Sequence, residues 1–89
     1  MKFDIQVGAH SAFVELEADG KGGFCGTITA KDFGVGKIAG VQTGDHLTGS
    51  VTLDGHVARV DATLSGCGIS GRITAGWFFA EDFTGRLVA

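Results

Sequence analysis

Histidines at 10, 46 and 56, cysteines at 25 and 67, and the aromatic run Trp77-Phe78-Phe79 are the side chains of this chain best suited to chemistry or recognition. A metal site needs imidazole, carboxylate or thiolate donors that converge on one point. The strand pairing derived below puts His46 and His56 at opposite ends of one hairpin and on opposite faces, roughly 25 Å apart at about 3.3 Å per residue. No metal site is therefore expected. His56 stands beside a turn at the mouth of the apolar face, where it is a candidate ligand contact; the plainer alternative is a solvated rim residue. Cys67, in Ser-Gly-Cys-Gly, reads as an exposed turn residue and Cys25 as an outward one. Neither belongs to a C-x-x-C pair, and without an export signal both are expected as free thiols.

Catalytic constellations are not found. No serine lies in a Gly-x-Ser-x-Gly elbow, and neither cysteine has a context that marks a nucleophile. Glu15 and Glu17 share one strand face, a pattern that a solvated sheet surface also produces, and Asp4 and Asp61 read as outward residues. The glycine clusters at 20–23 and 34–37 are not followed by helices that could offer an amino end to a phosphate. They read as turns and strand bends. The chain is expected to be non-enzymatic and to need no cofactor.

The segment Trp77, Phe78, Phe79, followed by Glu81 and Asp82, is the strongest candidate for a ligand site or an interface. Successive side chains on an extended segment point to opposite faces, so three aromatics in a row cannot all enter one core. At least one needs other cover, from a ligand, a partner subunit or a loop. The structural alternative is a bulge at Gly76 that turns two of them inward, with 76–80 extending the seventh strand.

The elements that must position these residues are strands. At 89 residues the chain holds one domain with one core. Hydrophobic residues make up 44% and charged residues 19%, which argues against intrinsic disorder despite 16 glycines. Seven Lys and Arg against ten Asp and Glu leave a net charge of −3 with no basic stripe, so nucleic acid is not expected as a partner. The longest apolar run, 77–80, falls far short of the roughly 20 residues of a membrane helix, and no transmembrane segment is expected. The amino end alternates polar with apolar residues and shows no continuous signal core; a cytoplasmic location is the expectation, or export if a leader has been removed.

Strand signals recur with turn residues between them, and no helical period holds. Strands are expected at 2–7, 11–18, 24–30, 35–41, 46–53, 56–64, 69–75 and 83–88. Asp54-Gly55 supplies the positive φ angles of a two-residue type I′ turn. Pairing Leu53 with His56 then sets Val51 opposite Ala58, Gly49 opposite Val60 and Leu47 opposite Ala62 on one face, with Ser50–Arg59 and Thr48–Asp61 on the other. Turn chemistry and hydrophobic phase agree. The outward positions include Thr27, Thr29, Thr48, Ser50, Thr52, Ser70 and Thr74, which suit a solvated sheet face.

An internal repeat is also visible, in Phe24-Cys-Gly-Thr-Ile-Thr-Ala, Leu47-Thr-Gly-Ser-Val-Thr-Leu, Ile69-Ser-Gly-Arg-Ile-Thr-Ala and Phe83-Thr-Gly-Arg-Leu-Val-Ala. It reads as a meander of similar hairpins. The glycines at its third position, Gly26, Gly49, Gly71 and Gly85, fall on the apolar face. Either they permit the sharp coiling that closes a narrow barrel, or they leave a pocket for a small apolar ligand. The first account is favoured, because so short a chain has little wall to spare.

The stretch 76–85, Gly-Trp-Phe-Phe-Ala-Glu-Asp-Phe-Thr-Gly, preceded by Ile69-Ser-Gly-Arg-Ile, resembles the closing hairpin of the small barrels in transferrin-binding-protein-like surface lipoproteins. In that family a Gly-x-Phe-Phe or Gly-x-Phe-Tyr run precedes an acidic residue and a glycine-led final strand. The resemblance implies an eight-stranded barrel used for binding rather than catalysis. From these observations together we expect an antiparallel up-and-down β-barrel of about six to eight strands, lipocalin-like in layout. The expected function is a binding module, engaging a small apolar ligand at the barrel mouth around His56, Trp77 and Phe79, or a protein through the aromatic segment 77–79. The alternative is a structural protein that forms a homo-oligomer through Trp77, Phe78 and Phe79 and takes no ligand.

Overall fold

The computed structural model describes residues 1–31, 34–76 and 79–88. Its strands are β1 (Lys2–Val7), β2 (His10–Ala18), β3 (Gly23–Ala30), β4 (Gly34–Thr43), β5 (His46–Leu53), β6 (His56–Ser65), β7 (Gly68–Ala75) and β8 (Phe79–Val88). Each strand pairs antiparallel with the next, and β8 pairs with β1 to close an up-and-down barrel. Closure leaves no edge open to further strand pairing. Stepping from Ile5 to successive partners around the ladder returns to β1 displaced by about ten residues, the stagger that tilts the strands of such a barrel.

The strands form because their side chains alternate. In β1, Lys2, Asp4 and Gln6 face water while Phe3 and Ile5 are buried. The same phase carries Val14 and Leu16 of β2, Phe24 and Ile28 of β3, Ile38 of β4, Leu47 and Val51 of β5, Ala62 of β6, Ile69 of β7 and Phe83 of β8 into one cluster. No polar or charged side chain is buried among the described residues, so apolar burial holds this core together.

The β5–β6 hairpin has the expected register throughout, from Leu53 opposite His56 to Leu47 opposite Ala62. Asp54 has φ 51° and Gly55 φ 79°, both in the left-handed region that a type I′ turn requires. The repeat glycines mark close approach of strands. A Cβ built on Gly26 would run into the carbonyl oxygen of Glu15, one on Gly49 into that of Ala39, and one on Gly71 into that of Asp61. On Gly85 it would lie 2.5 Å from Cγ2 of Ile5 and 2.8 Å from the Asp4 carbonyl oxygen. The space left by the missing side chains is taken by neighbouring backbone and, at Gly85, also by the side chains of Ile5 and Ile69, which is the coiling account of these glycines. The interior is filled, apart from a void of about 40 Å³ lined only by apolar residues.

The last hairpin departs from expectation. Ala75 is paired with Phe79 and Thr74 with Ala80, so the chain reverses between Ala75 and Phe79 instead of extending β7 through 80, and Gly76 has φ 64°. Accordingly β8 begins at Phe79 and not at 83. Glu81 and Asp82, which precede the expected start, both lie within the strand and are exposed. Asp82 faces outward, where it accepts a hydrogen bond from Nε of Arg72 at 3.1 Å, and Glu81 lies at the open end of the barrel. Several other strands also begin or end slightly beyond the expected limits, because ladder pairing continues into the turns whatever the side chains are.

Candidate functional site

One end of the barrel gathers the β1–β2, β3–β4, β5–β6 and β7–β8 connections, and the other holds the remaining three and both chain ends. A cleft of about 680 Å³ opens at the first end. Ile28, Val51 and Ile73 line both this cleft and the small void beneath it, so they are at once its floor and the roof of the packed core. Val7, Ala12, Ala30, Leu53, Val57 and Phe79 add apolar wall, while His10, Ser11, Asp54, His56 and Glu81 supply polar groups.

Two of the residues singled out in the sequence meet here. Phe79 is in phase with the buried Phe83, which puts its ring on the inner face of β8, but at the mouth it remains 40% exposed. His56 opens β6 opposite Leu53 and is likewise in the inward phase. Both line the one cleft although 23 positions separate them in the chain. Trp77 and Phe78, the other two candidates, lie outside the described residues.

His10 and Glu81, both named in the sequence, were not assigned to the mouth by sequence reasoning. His10 begins β2 in phase with Ala12, Val14 and Leu16, and it lines the cleft. Glu81 sits between Phe79 and Phe83 on the inner face of β8, opposite Ile73. Its carboxylate lies over the β1–β2 turn: a Cβ built on Gly8 would be 3.2 Å from Oε2 and 3.5 Å from Oε1. Carrying the two-residue period back from Ala12 and from Phe83 would have found both positions.

The remaining candidates face elsewhere. His46 is on the outer wall, its Nε2 2.8 Å from Oδ1 of Asp61. Glu15 and Glu17 are exposed on the outer face of β2. Cys25 and Cys67 are exposed free thiols. Among the described residues no three His, Cys, Asp or Glu side chains are grouped so as to hold a metal ion.

A second concavity, of about 810 Å³, is a trough on the outer wall across β8, β1, β2 and β3. Outward side chains of Asp4, Gln6, Phe13, Thr29 and Arg86 line it, and Ser11 donates to Oε1 of Gln6 across it at 2.8 Å. This trough is a solvated outer surface that mixes charged and polar side chains with Phe13. The mouth, by contrast, combines an apolar floor with a small number of polar groups. The chain matches no family model, no curated protein and no solved structure in the comparisons made with each.

Proposed function

We propose that this barrel is a non-enzymatic binding module that takes a small apolar molecule in the cleft at its mouth, in contact with Phe79 and His56. The cleft itself carries the proposal. Its volume of about 680 Å³ falls within the roughly 300–1,000 Å³ of small-molecule sites, and its apolar lining with a few polar groups has their character. The packed core below gives the floor a fixed shape, so binding requires little reorganisation of the protein. The likeness of the closing hairpin to that of barrels used for binding supports the same reading.

The test is a fluorescence titration with the uncharged probe N-phenyl-1-naphthylamine, together with native mass spectrometry of the purified protein. Saturable uptake of one probe per chain is expected, weakened several-fold by Phe79→Ala and less by His56→Ala. Absence of saturable uptake, with mass spectra free of any retained molecule, would sink the proposal. A dimer that Phe79→Ala dissociates, with no probe uptake, would assign the segment to subunit assembly instead.

A further inference from the structure

The outer wall carries both signs of charge: Lys2, Lys37, Arg59, Arg72 and Arg86 stand at outward positions of their strands beside outward carboxylates such as Asp4, Glu15 and Asp61. Lys31, in the β3–β4 connection at the mouth end, lines the outer-wall trough and not the cleft. No Lys or Arg is among the described residues lining the mouth cleft. The carboxylates there are Asp54, in the β5–β6 turn, and Glu81, on the inner face of β8 over Gly8; the other titratable groups lining it are His10 and His56. Below them the floor of Ile28, Val51 and Ile73 is apolar.

A molecule whose apolar part rests on that floor must leave its polar end at the rim, where hydration is kept and the carboxylates are near. An ammonium head meets opposite charge there, and its N–H donors match carboxylate oxygens that accept only. The exposed ring of Phe79 adds a surface that attracts a cation. A carboxylate head in the same pose would bring like charge beside Glu81 and Asp54.

Resting on the reading of the mouth as a ligand site, we infer that the site selects amphiphilic amines, with an alkyl or aryl body and a cationic head, over acids of the same body. The two claims fail separately. Calorimetric titrations of the whole protein with decylammonium, 1-decanol and decanoate, below their micelle-forming or solubility limits and at one fixed pH of about 8, where the amine is cationic and the acid anionic, compare one tail with three heads. Decylammonium is expected to bind about tenfold more tightly than decanoate, with decanol between them, and the ratio should shrink as salt is raised.

The double variant Asp54→Asn, Glu81→Gln should reduce the ratio to within about twofold, with decanol affinity changing far less than that of decylammonium. Asn accepts the left-handed backbone at 54, and Gln keeps the shape of Glu81, so this variant should fold. The control Glu15→Gln, Glu17→Gln removes the same net charge from the outer wall and should keep the preference. Equal binding of the three molecules overturns the selection while leaving the ligand site standing. A preference that survives the mouth variant, or disappears equally in the outer-wall control, also overturns it. Binding of none of the three overturns the ligand site itself.

Discussion

Gly40 and Gly49 face one another across β4 and β5, and a Cβ built on Gly40 would come within 2.6 Å of the Gly49 Cα. The two strands cross so closely on the inner face that neither position has room for a side chain. Replacing Gly49 with Ala should force the strands apart and cost about 2–3 kcal/mol. For a domain of this size that lowers Tm by roughly 10 °C or more, measurable by thermal denaturation followed by circular dichroism. A Gly49→Ala variant as stable as the parent would show that these glycines are not what lets the wall coil.

Phe83 and Phe79 lie on the same face of β8 but at different depths, 4% and 40% exposed. Phe83→Ala empties a packed position and should cost about 3–5 kcal/mol. Phe79→Ala, at the rim of the cleft, should cost less than about 1.5 kcal/mol, because most of its lost contact is replaced by water. Urea denaturation of the two variants distinguishes core from rim. If Phe79→Ala is as damaging as Phe83→Ala, Phe79 belongs to the structural core and cannot be assigned chiefly to ligand contact.

The β5–β6 turn places a side chain in the left-handed region at Asp54, with φ 51°. Asn has the same tolerance for that conformation, so Asp54→Asn should leave stability within about 0.5 kcal/mol of the parent. Asp54→Val should lose about 1–2 kcal/mol, since a β-branched residue is strained there. Comparison of chemical denaturation midpoints settles the point, and equal loss for both variants would mean that the turn depends on the Asp54 carboxylate.

His46 and Asp61 meet on the outer wall at 2.8 Å, with side chains 50% and 65% exposed. Solvent competes for both groups of so exposed a pair, and Asp61→Asn should cost under about 1 kcal/mol. A loss several times larger in the denaturant midpoint would reveal a structural role that the exposure of both groups does not suggest.

Much of the wall was legible from local order. The alternation in 2–7 and 46–53 reports which residues turn inward, because a strand's period is two whatever the strand pairs with. Asp54-Gly55 specifies its own hairpin, since the turn's backbone demands residues that accept positive φ, and the register follows to Leu47 opposite Ala62. The inward phase of Gly26, Gly49, Gly71 and Gly85 was equally local. The start of β8 was not: the strand was expected only from 83, and its beginning at Phe79 follows from pairing with β7, with Glu81 at the open mouth and Asp82 on the outer wall.

By itself, then, the sequence determined the strands, their inward phase, one hairpin register and the position of His56 beside a turn. Only the tertiary structure decided that β8 closes onto β1, that neighbouring protein atoms, mostly backbone, fill the space at the repeat glycines, and that His10, His56, Phe79 and Glu81 line one cleft. Those four residues belong to three hairpins. Their meeting depends on the stagger accumulated around the whole ladder, a sum over every strand pair that no local stretch of the chain encodes.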